Sequence, residues 1–586
     1  MSAPPRTVWP WQAVTRPEVA WAAAWALLIM VLTCLPYLYG VTLTPYEGVY
    51  LGYVFNPDEP NVHLSWIRQA REGRVFFRNE FTSEPHQGRF FNLFFLSLGR
   101  LARWGNLSPY WIFQLARLVS GWLLLIVVYL GVAQFTGYRP LRQRAFFLVA
   151  TSSGLGWLYS YLAAGQGPLD PVDTQPGLVM PEAITFLTLY LNPLFAASMG
   201  LLMAAFVCGA VALRERQWPL AVGGGLAALL LGNIHTYDIL PLYGSLGGYA
   251  LVRGVQRREW PWRELLLWGL LMALSCPSVL YQHHLIQTDE LYAAKANTWT
   301  PSPGLGPYPS YAGPKEYLAA IPYSLGVYAL SYGLLVPLAI GGAVRILKRY
   351  PLLVPFVVWA GFNVLLLYLP VPFQRKMAEG LHIPLSVLAA VALTWLVRWI
   401  GVDMARVGAR SQLTVRRRLP FFLRWLTVGG LLCLLPSNVA FVQSTLHDLQ
   451  TNNLEKRAVL MPPFYLSREV YEGLLWLREN TSPEAVVLCT PLVGNYIPPV
   501  AGRRVFVGHW AETIGLAAKL GLMLDFFGRK QEAAEKMRFL RDYGLTHIFL
   551  GPDEQALNRA QVETLPGLRL VWRKGTVEIY AVETDR

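Results

Sequence analysis

Long apolar segments separated by short polar segments occupy the chain as far as residue 442. The first apolar stretch, 21–41, has about the 20 residues that a membrane-spanning helix needs. Because it is longer than the apolar core of a signal peptide, and other spans follow it closely, we expect it to be retained. Further apolar runs lie at 110–135, 145–164, 183–213, 218–234, 237–253, 264–282, 322–344, 352–370, 381–400 and 420–442. The pattern predicts a polytopic α-helical membrane protein with about eleven spans.

Basic residues cluster in alternate loops between these apolar runs, and this alternation predicts an orientation. The positive-inside rule assigns Arg-rich short loops to the cytoplasm. The Arg-rich set comprises Arg139 to Arg144, Arg214 and Arg216, Arg253 to Arg263, Arg345 to Arg349, and Arg398 to Arg424. We therefore expect a cytoplasmic N-terminus, and extracytoplasmic positions for loops 42–109, 165–182, 283–321 and 371–380 and for everything after about residue 443. The expected location is a bacterial-type cytoplasmic (inner) membrane.

The long first outer loop, 42–109, carries two candidate helices that are not expected to cross the membrane. Val62, Trp66 and Ala70 recur at helical spacing beside arginines, which is typical of a helix lying on a membrane surface. Residues 90–104 form a second apolar run of only about 15 residues, which is too short to span comfortably. We expect both segments to be interfacial helices.

The sequence after residue 443 has the texture of a soluble α/β domain. We interpret Ser467–Asn480 as an amphipathic helix with Ser467 as its cap. Further helices are predicted at 511–527 and 531–543, and strands at 485–489, 504–507, 547–550, 568–572 and 576–581. The expected organisation is a transmembrane domain over 1–442, which includes the long first outer loop, and an extracytoplasmic α/β domain over 443–586.

The composition agrees with a membrane protein and excludes several functional classes. Hydrophobic residues make up 54% of the chain, charged residues 15%, and the mean hydropathy is +0.34. The net charge of +14 comes mainly from the predicted cytoplasmic loops, so it does not indicate nucleic-acid binding. The five cysteines are far apart, which argues against a zinc site or a disulfide framework.

Two acidic outer loops are the first candidates for chemistry. Asp58 and Glu59 stand between two prolines, where adjacent carboxylates can act as a general base, bind a metal, or cap a helix. The spacing alone favours the cap. Asp170 and Asp173 lie in the next outer loop, where acids are also common as solvated turn residues. The two loops together suggest a shared site more strongly than either loop alone.

Polar residues at the outer ends of later spans are the second group of candidates. His235 and Asp238 lie between two apolar runs, where ionisable groups are unfavourable unless they have a partner. We therefore interpret them either as a structural pair or as substrate contacts. Arg375 and Lys376, followed by Glu379 and His382, stand in a short outer loop that would normally avoid basic residues. Two cations at a membrane boundary suit a lipid-linked phosphate, and snorkelling to lipid headgroups is the alternative.

The chain resembles the GT-C superfamily of polyprenyl-phosphate-dependent membrane glycosyltransferases, which includes protein O-mannosyltransferases, aminoarabinose transferases and oligosaccharyltransferase catalytic subunits. The resemblance is architectural and covers most of the chain. Its most recognisable pieces are the run Asn56-Pro57-Asp58-Glu59-Pro60 and the segment Tyr471–Cys489, which contains Leu-Trp-Leu-Arg-Glu-Asn-Thr-Ser-Pro-Glu-Ala-Val-Val-Leu. The sequence has no Trp-Trp-Asp motif after residue 443, which argues against transfer to asparagine.

The resemblance implies transfer of a sugar from a polyprenyl-phosphate donor to a glycan, lipid or protein acceptor. It implies that Asp58 is the catalytic carboxylate, that Glu59 assists, and that Asp170 or Asp173 supplies the second-loop acid. In some members such acids hold a divalent metal, which in this chain would be Mg²⁺ or Mn²⁺ at Asp58 and Asp170, and in other members they act without one. A transporter, a lipid flippase and a non-catalytic scaffold are the alternatives, although we find no inverted repeat in the sequence.

Overall fold

The computed structural model describes residues 14–163, 180–297, 325–369, 373–408, 425, 427–528, 532–558 and 560–583. The predicted acids Asp170 and Asp173 lie outside the described residues, and so does the side chain of Arg375. The predictions for these three residues therefore stay predictions.

Helices dominate the described residues before 452. The α-helices are Arg16–Leu32, Leu35–Thr42, Asp58–Arg71, Leu93–Trp104, Pro109–Ala133, Arg139–Thr151, Gly156–Ala163, Thr185–Leu191, Pro193–Glu215, Trp218–Ile234, Ile239–Arg257, Trp262–Thr288, Glu290–Asn297, Leu335–Arg349, Val354–Leu366, His382–Gly408 and Pro436–Thr451. Short 3₁₀ turns at Thr236–Asp238, Pro351–Leu353 and Gln374–Ala378 connect some of them.

Five helices among the described residues are long and apolar enough to cross a membrane. They are Arg16–Thr42 (continuous across a short turn), Pro109–Ala133, Pro193–Glu215, Trp262–Thr288 and Lys376–Ile400. The pair Leu325–Tyr332 and Leu335–Arg349, bent by 90°, makes a sixth if it is one broken span. Two shorter apolar helices, Trp218–Ile234 and Pro351–Leu366, add to this set. The prediction of a multi-pass helical membrane protein is therefore confirmed, and the count of about eleven spans stays a prediction.

The chain divides into two compact units. The first unit contains Met1–Thr33, Ala116–His284 and Trp299–Gln443. The second contains Cys34–Leu115, Leu285–Thr298 and Ser444–Arg586. The long first loop thus belongs to the same unit as the C-terminal residues.

The first unit is built from helices whose aromatic and small residues pack closely. Helix Pro193–Glu215 packs against Trp218–Ile234, and Ile239–Arg257 packs against Val354–Leu366. The Trp359 ring is fully buried, with its centroid 4.4 Å from that of Phe206. In a chain that spans a membrane, such packing rather than the hydrophobic effect holds helices together.

The second unit contains the expected α/β fold. Among the described residues its strands are β1 (Gly48–Tyr50), β2 (Tyr465–Ser467), β3 (Val486–Leu488), β4 (Arg504–Val505), β5 (His547–Leu550), β6 (Leu568–Lys574) and β7 (Val577–Val582). Five of them form one sheet in the order β4-β3-β5-β7-β6, with β3 parallel to β4 and β5 and with β7 antiparallel to its neighbours. The helices that accompany the sheet are Arg468–Asn480, Pro491–Gly494, Leu516–Gly528, Ala533–Asp542, Pro552–Asn558 and Ala560–Glu563.

The helix Arg468–Asn480 forms for the reason that the sequence indicates. The Ser467 side chain accepts a hydrogen bond from the Val470 backbone N–H at 3.3 Å, which caps the helix. Val470, Leu474 and Leu477 are buried on one face. The expected fold class, helical membrane protein with a C-terminal α/β region, is therefore confirmed.

The first loop and the C-terminal residues are joined by backbone pairing within the second unit. Strand β1 pairs antiparallel with β2, in the register Val49 opposite Leu466. The Val505 N–H donates to the Glu80 carbonyl at 3.1 Å, so a segment of the first loop also borders β4. The first loop is thus a structural part of the α/β unit.

Candidate functional site

The run Asn56 to Pro60 turns the chain into the first helix of the loop. Asn56 adopts a left-handed backbone with φ of 39°, a conformation that asparagine tolerates better than most residues. Helix Asp58–Arg71 then begins at Asp58, and Pro57 occupies the N-cap position without a side-chain capping bond. Oδ1 of Asp58 accepts the Glu59 backbone N–H at 2.7 Å. One carboxylate oxygen therefore serves the helix terminus and leaves the other for a different role.

The second oxygen of Asp58 faces a histidine from the C-terminal residues. Oδ2 of Asp58 lies 3.9 Å from Nε2 of His509, and both side chains are buried. The Ala511 backbone N–H donates to Nδ1 of His509 at 3.1 Å, so Nδ1 is the acceptor and the proton of the neutral ring sits on Nε2. The N–H of His509 is therefore directed to the side on which Asp58 lies.

The turn that carries His509 is held in place by the first loop. The Asn79 side-chain amide donates to the Glu512 carbonyl at 2.8 Å, and the Thr513 hydroxyl donates to the Phe81 carbonyl at 2.9 Å. Gly508 precedes the histidine at a point where a Cβ atom would stand 2.9 Å from the Gly494 carbonyl oxygen. Only glycine fits that position without displacement of the neighbouring backbone.

The surroundings of Asp58 raise the pKa of its carboxyl group. Burial raises the pKa of Asp58 to about 6, and the nearby His509 opposes this rise while Glu59 adds to it. A carboxyl group with this pKa is ionised at neutral pH and accepts a proton more readily than an exposed aspartate does. The side chain thus has the properties of a general base.

A second cluster lies in the first unit and brings together His235, Asp238 and Glu379. Nδ1 of His235 lies 3.2 Å from Oδ2 of Asp238 and 3.2 Å from Oε2 of Glu379. The candidate ligand atoms of the three residues all lie within 4.8 Å of one another. Among the described residues, this is the group of three His, Cys, Asp or Glu side chains with the spacing of a metal site.

The elements around this cluster fix each side chain. His235 directly follows helix Trp218–Ile234. Asp238 is the last residue of the 3₁₀ turn Thr236–Asp238 and directly precedes helix Ile239–Arg257. Glu379 follows the turn Gln374–Ala378, where the Asn363 side chain donates to the Met377 carbonyl at 3.0 Å. The Ser198 hydroxyl donates to Oε1 of Glu379. Two helical connections therefore converge on one point, and Ser198 joins them from helix Pro193–Glu215.

The predicted phosphate-binding residues have different surroundings. Nζ of Lys376 lies 2.5 Å from Oε1 of Glu182 and 5.3 Å from the Phe195 ring centroid. Its ammonium group is therefore already paired with a carboxylate. The backbone of Arg375 lies in the same 3₁₀ turn as Lys376. Phosphate binding by the two residues stays a prediction.

His382 is engaged by the protein on both ring nitrogens. Its Nε2 lies 3.0 Å from the Ser152 hydroxyl, and its Nδ1 lies 3.0 Å from the Thr185 hydroxyl. The residue is fully buried and joins the start of helix His382–Gly408 to two other helices. A substrate contact by His382 stays a prediction, and the observed bonds describe a structural role.

The structure brings some sequence candidates together and adds His509, which the sequence does not single out. His235 and Asp238 do lie together, and Glu379 joins them from the segment that follows the basic pair. His509 joins Asp58, and the sequence gives no indication of this contact. A lone histidine after a short strand carries no local signal, because its partner is far away in the sequence. Glu59 is half-buried at the start of its helix, and its assisting role stays a prediction.

Comparisons with known proteins find similarity to solved structures. No protein-family model matches the chain, and no characterised protein matches it in sequence. The oligosaccharyltransferase of Archaeoglobus fulgidus is similar at 14% identity and a TM-score of 0.49, over 91% of this chain and 70% of that one. ArnT of Cupriavidus metallidurans, solved with undecaprenyl phosphate, is similar at 14% identity and a TM-score of 0.49, over 98% and 100%.

A third solved structure is larger than this chain. The mycobacterial arabinofuranosyltransferase AftD is similar at 13% identity and a TM-score of 0.48, over 98% of this chain and 42% of that one. At such identities and TM-scores the function has to be argued from the residues of this chain.

Proposed function

We propose that the chain is a membrane glycosyltransferase that moves a sugar from a polyprenyl-phosphate donor to an acceptor, with Asp58 as general base. The observation that supports this most is the buried Asp58 carboxylate, whose pKa is raised to about 6 and which faces His509 outside the candidate spans. A buried acid with a perturbed pKa and a specific partner is a common feature of catalytic sites. The resemblance of the run Asn56 to Pro60 to GT-C enzymes points to the same residue.

The proposed reaction assigns each atom of the Asp58 carboxylate a task. Oδ1 stays bonded to the Glu59 N–H and fixes the orientation of the group. Oδ2 accepts the proton of the nucleophilic group of the acceptor while this group attacks C1 of the sugar. As the new bond to C1 forms, the bond between C1 and the phosphate oxygen of the donor breaks, and polyprenyl phosphate leaves. The N–H of His509 stabilises the ionised carboxylate between turnovers. At 3.9 Å the two groups form no hydrogen bond in this structure, and catalytic contacts of this kind often tighten to hydrogen bonds when substrate binds.

The leaving phosphate requires positive charge or hydrogen-bond donors. Arg375 and Lys376 are our candidates, because Arg binds phosphate bidentately and Lys supplies a point charge. For Lys376 to act in this way, a phosphate has to share or replace the contact with Glu182. We also propose that the reaction takes place on the extracytoplasmic face of a bacterial-type inner membrane, as the loop charges indicate.

A divalent cation at Asp58 and Asp170 is part of the same proposal. Among the described residues, no group of three potential ligands includes Asp58. The cation would therefore need ligands from outside that part of the chain, such as Asp170. The proposed base chemistry of Asp58 does not depend on it.

The decisive experiment is transfer by the purified full-length chain in detergent or nanodiscs. Donors are polyprenyl phosphates carrying radiolabelled mannose, aminoarabinose or arabinose, and release of free polyprenyl phosphate gives a readout that needs no known acceptor. We expect Asp58→Asn to lower turnover by about 10²- to 10⁴-fold, the usual contribution of a general base. Wild-type turnover in an Asp58→Asn protein that folds normally would overturn the mechanism.

A matched control separates loss of the base from loss of charge on the same helix. Glu72 follows helix Asp58–Arg71, and its side chain is half-exposed. We expect Glu72→Gln to keep most of the activity. Substrate uptake or lipid translocation without any sugar transfer would favour the transporter or flippase alternative.

A further inference from the structure

The cluster of His235, Asp238 and Glu379 contains buried polar atoms whose hydrogen-bonding capacity is unused. Nδ1 of His235, both carboxylate oxygens of Asp238 and Oε2 of Glu379 have no hydrogen-bond partner. All three residues are more than nine-tenths buried. Such atoms are uncommon because each has lost its water without gaining a partner. Their presence in one place indicates that a further group completes the site.

The distances in the cluster match those between ligands of one metal ion. A first-row divalent cation binds imidazole nitrogen and carboxylate oxygen at about 2.0–2.2 Å, which places neighbouring ligand atoms about 3 Å apart. The two contacts of His235 Nδ1 in this structure are each 3.2 Å. Neither contact has hydrogen-bond geometry, since all the atoms concerned are without a hydrogen-bond partner. The three candidate ligand atoms therefore lie close enough together to bind one ion.

The charges also call for a dication. Two buried carboxylates without a counterion would be strongly unfavourable. The nearby Lys376 ammonium is 2.5 Å from Glu182 and so already balances another acid. The Ser198 hydroxyl donates a hydrogen bond to Oε1 of Glu379, while Oε2 is the oxygen beside His235. Carboxylates that bind metal ions commonly accept such a hydrogen bond. One divalent cation would neutralise Asp238 and Glu379 together.

We propose that His235, Asp238 and Glu379 bind one divalent transition-metal ion of the Zn²⁺ or Mn²⁺ class. The imidazole favours these ions over Mg²⁺ and Ca²⁺, which prefer all-oxygen sites. Three protein ligands leave coordination positions for water or for an anionic oxygen. The ligand set does not include Asp58, and the proposal does not depend on the proposed transferase activity.

The first experiment measures metal content rather than activity. The full-length protein in detergent is stripped with a chelator, titrated separately with Zn²⁺, Mn²⁺, Co²⁺ and Mg²⁺, and analysed by mass spectrometry for bound metal. We expect one equivalent of Zn²⁺, Mn²⁺ or Co²⁺, and with Co²⁺ the visible absorption of a nitrogen- and oxygen-ligated ion. The absence of binding at a free metal concentration of about 10⁻⁴ M, far above the dissociation constant expected of such a site, would overturn the proposal. A preference for Mg²⁺ over the other ions would overturn it as well.

Variants then locate the ion. We expect His235→Ala, Asp238→Asn and Glu379→Gln each to weaken binding at least about tenfold, because each removes a ligand. Glu264→Gln is the matched control, since Glu264 is a buried acid of the same unit outside the cluster, and it should keep the full equivalent. Loss of metal in Asp58→Asn, with retention in the three cluster variants, would instead place the ion at Asp58 and overturn this assignment.

A crossed stability measurement keeps the test valid if a variant binds no metal for structural reasons. In chelator, Glu379→Gln should unfold at the same temperature as the wild type or higher, because one buried charge is gone. On addition of Zn²⁺ or Mn²⁺ only the wild type should gain thermal stability. A site at this cluster would be contradicted if neither ion raised the unfolding temperature of the wild type. It would also be contradicted if the ions raised the unfolding temperatures of the wild type and of Glu379→Gln equally.

Discussion

Asp58 and His509 show how two residues far apart in sequence can set one ionisation. Burial raises the pKa of Asp58 to about 6, and His509 limits that rise. The backbone of Ala511 fixes which nitrogen of His509 carries the proton. Asp58 is therefore ionised at neutral pH, which is a requirement for a general base.

The pH dependence of transfer follows from this pKa. Because the base must be ionised, we expect kcat/KM to fall as the pH drops below about 6 and to be level above it on this limb. His509→Gln should move the limb to higher pH, since the residue that lowers the pKa of Asp58 is gone. A pH–rate profile of both proteins checks this. Lower activity in His509→Gln with an unmoved limb would indicate a purely structural role.

Stability should respond to Asp58 in the opposite direction from activity. The folded state holds the proton more tightly than the unfolded state, so stability falls as the pH rises from 3.8 to about 6, and the penalty persists above. The shift corresponds to about 3 kcal/mol. Asp58→Asn should therefore raise the unfolding temperature at pH 7.5 and have little effect near pH 4. An equal or lower unfolding temperature at pH 7.5 would contradict the buried, ionised carboxylate.

At the residue scale the sequence predicts acids and histidines but not their partners. Asp58 stands out because it lies between prolines after a span, and His235 and Asp238 because ionisable groups interrupt apolar runs. The partners His509 and Glu379 come from other parts of the chain. Their contacts depend on tertiary structure, and no local pattern of residues reports it.

At the scale of elements, the two helices of the first loop form a packed pair. Helices Asp58–Arg71 and Leu93–Trp104 contact each other at Gly99, where a Cβ atom would stand 2.2 Å from Cβ of Ala70 and 2.6 Å from the Ile67 carbonyl oxygen. The absence of a side chain at Gly99 sets the distance between the helices. Because the first helix carries Asp58 at its start, this contact also supports the proposed site.

Substitution of this glycine should separate the helices. We expect Gly99→Ala to destabilise the protein by about 1–3 kcal/mol, the usual cost of overpacking. Gly269 lies in helix Trp262–Thr288, where an added Cβ atom would meet nothing within 4 Å, so Gly269→Ala is the control and should be neutral or slightly stabilising. Thermal unfolding in detergent measures both. Equal effects of the two substitutions would mean that the close contact is not needed.

Element prediction succeeds where the signal is local and fails where it is not. Strand β5, His547–Leu550, lies where the sequence predicts it, and Ser467 caps the predicted helix. The sequence does not predict strands β1 and β2, because each has three residues and its partner lies far along the chain. The helix predicted to begin at 511 begins at Leu516 instead, after the turn that presents His509.

At the scale of the whole molecule, the orientation in the membrane is the main prediction to test. Alkaline phosphatase fused after residue 583 should be active in a bacterial host, and green fluorescent protein at the same place should not fluoresce, if the C-terminal residues are extracytoplasmic. Fusions in the Arg-rich segment near residue 260 should give the reverse result. Cytoplasmic fluorescence from the C-terminal fusion would invert the topology and remove Asp58 from the outer face.

The pairing of the first loop with the C-terminal residues has a consequence for biosynthesis. The Tyr465 hydroxyl donates to the Gly40 carbonyl at 2.9 Å across 425 residues, beside the β1–β2 pair. At about 5–20 residues per second, the ribosome needs roughly 20 to 80 s to reach the second partner after making the first. During that time the first loop lacks its strand partner β2 and also His509, because neither has been synthesised. The proposed catalytic pair can thus form only after the ribosome has passed residue 509, so a chain that ends before this residue would be inactive.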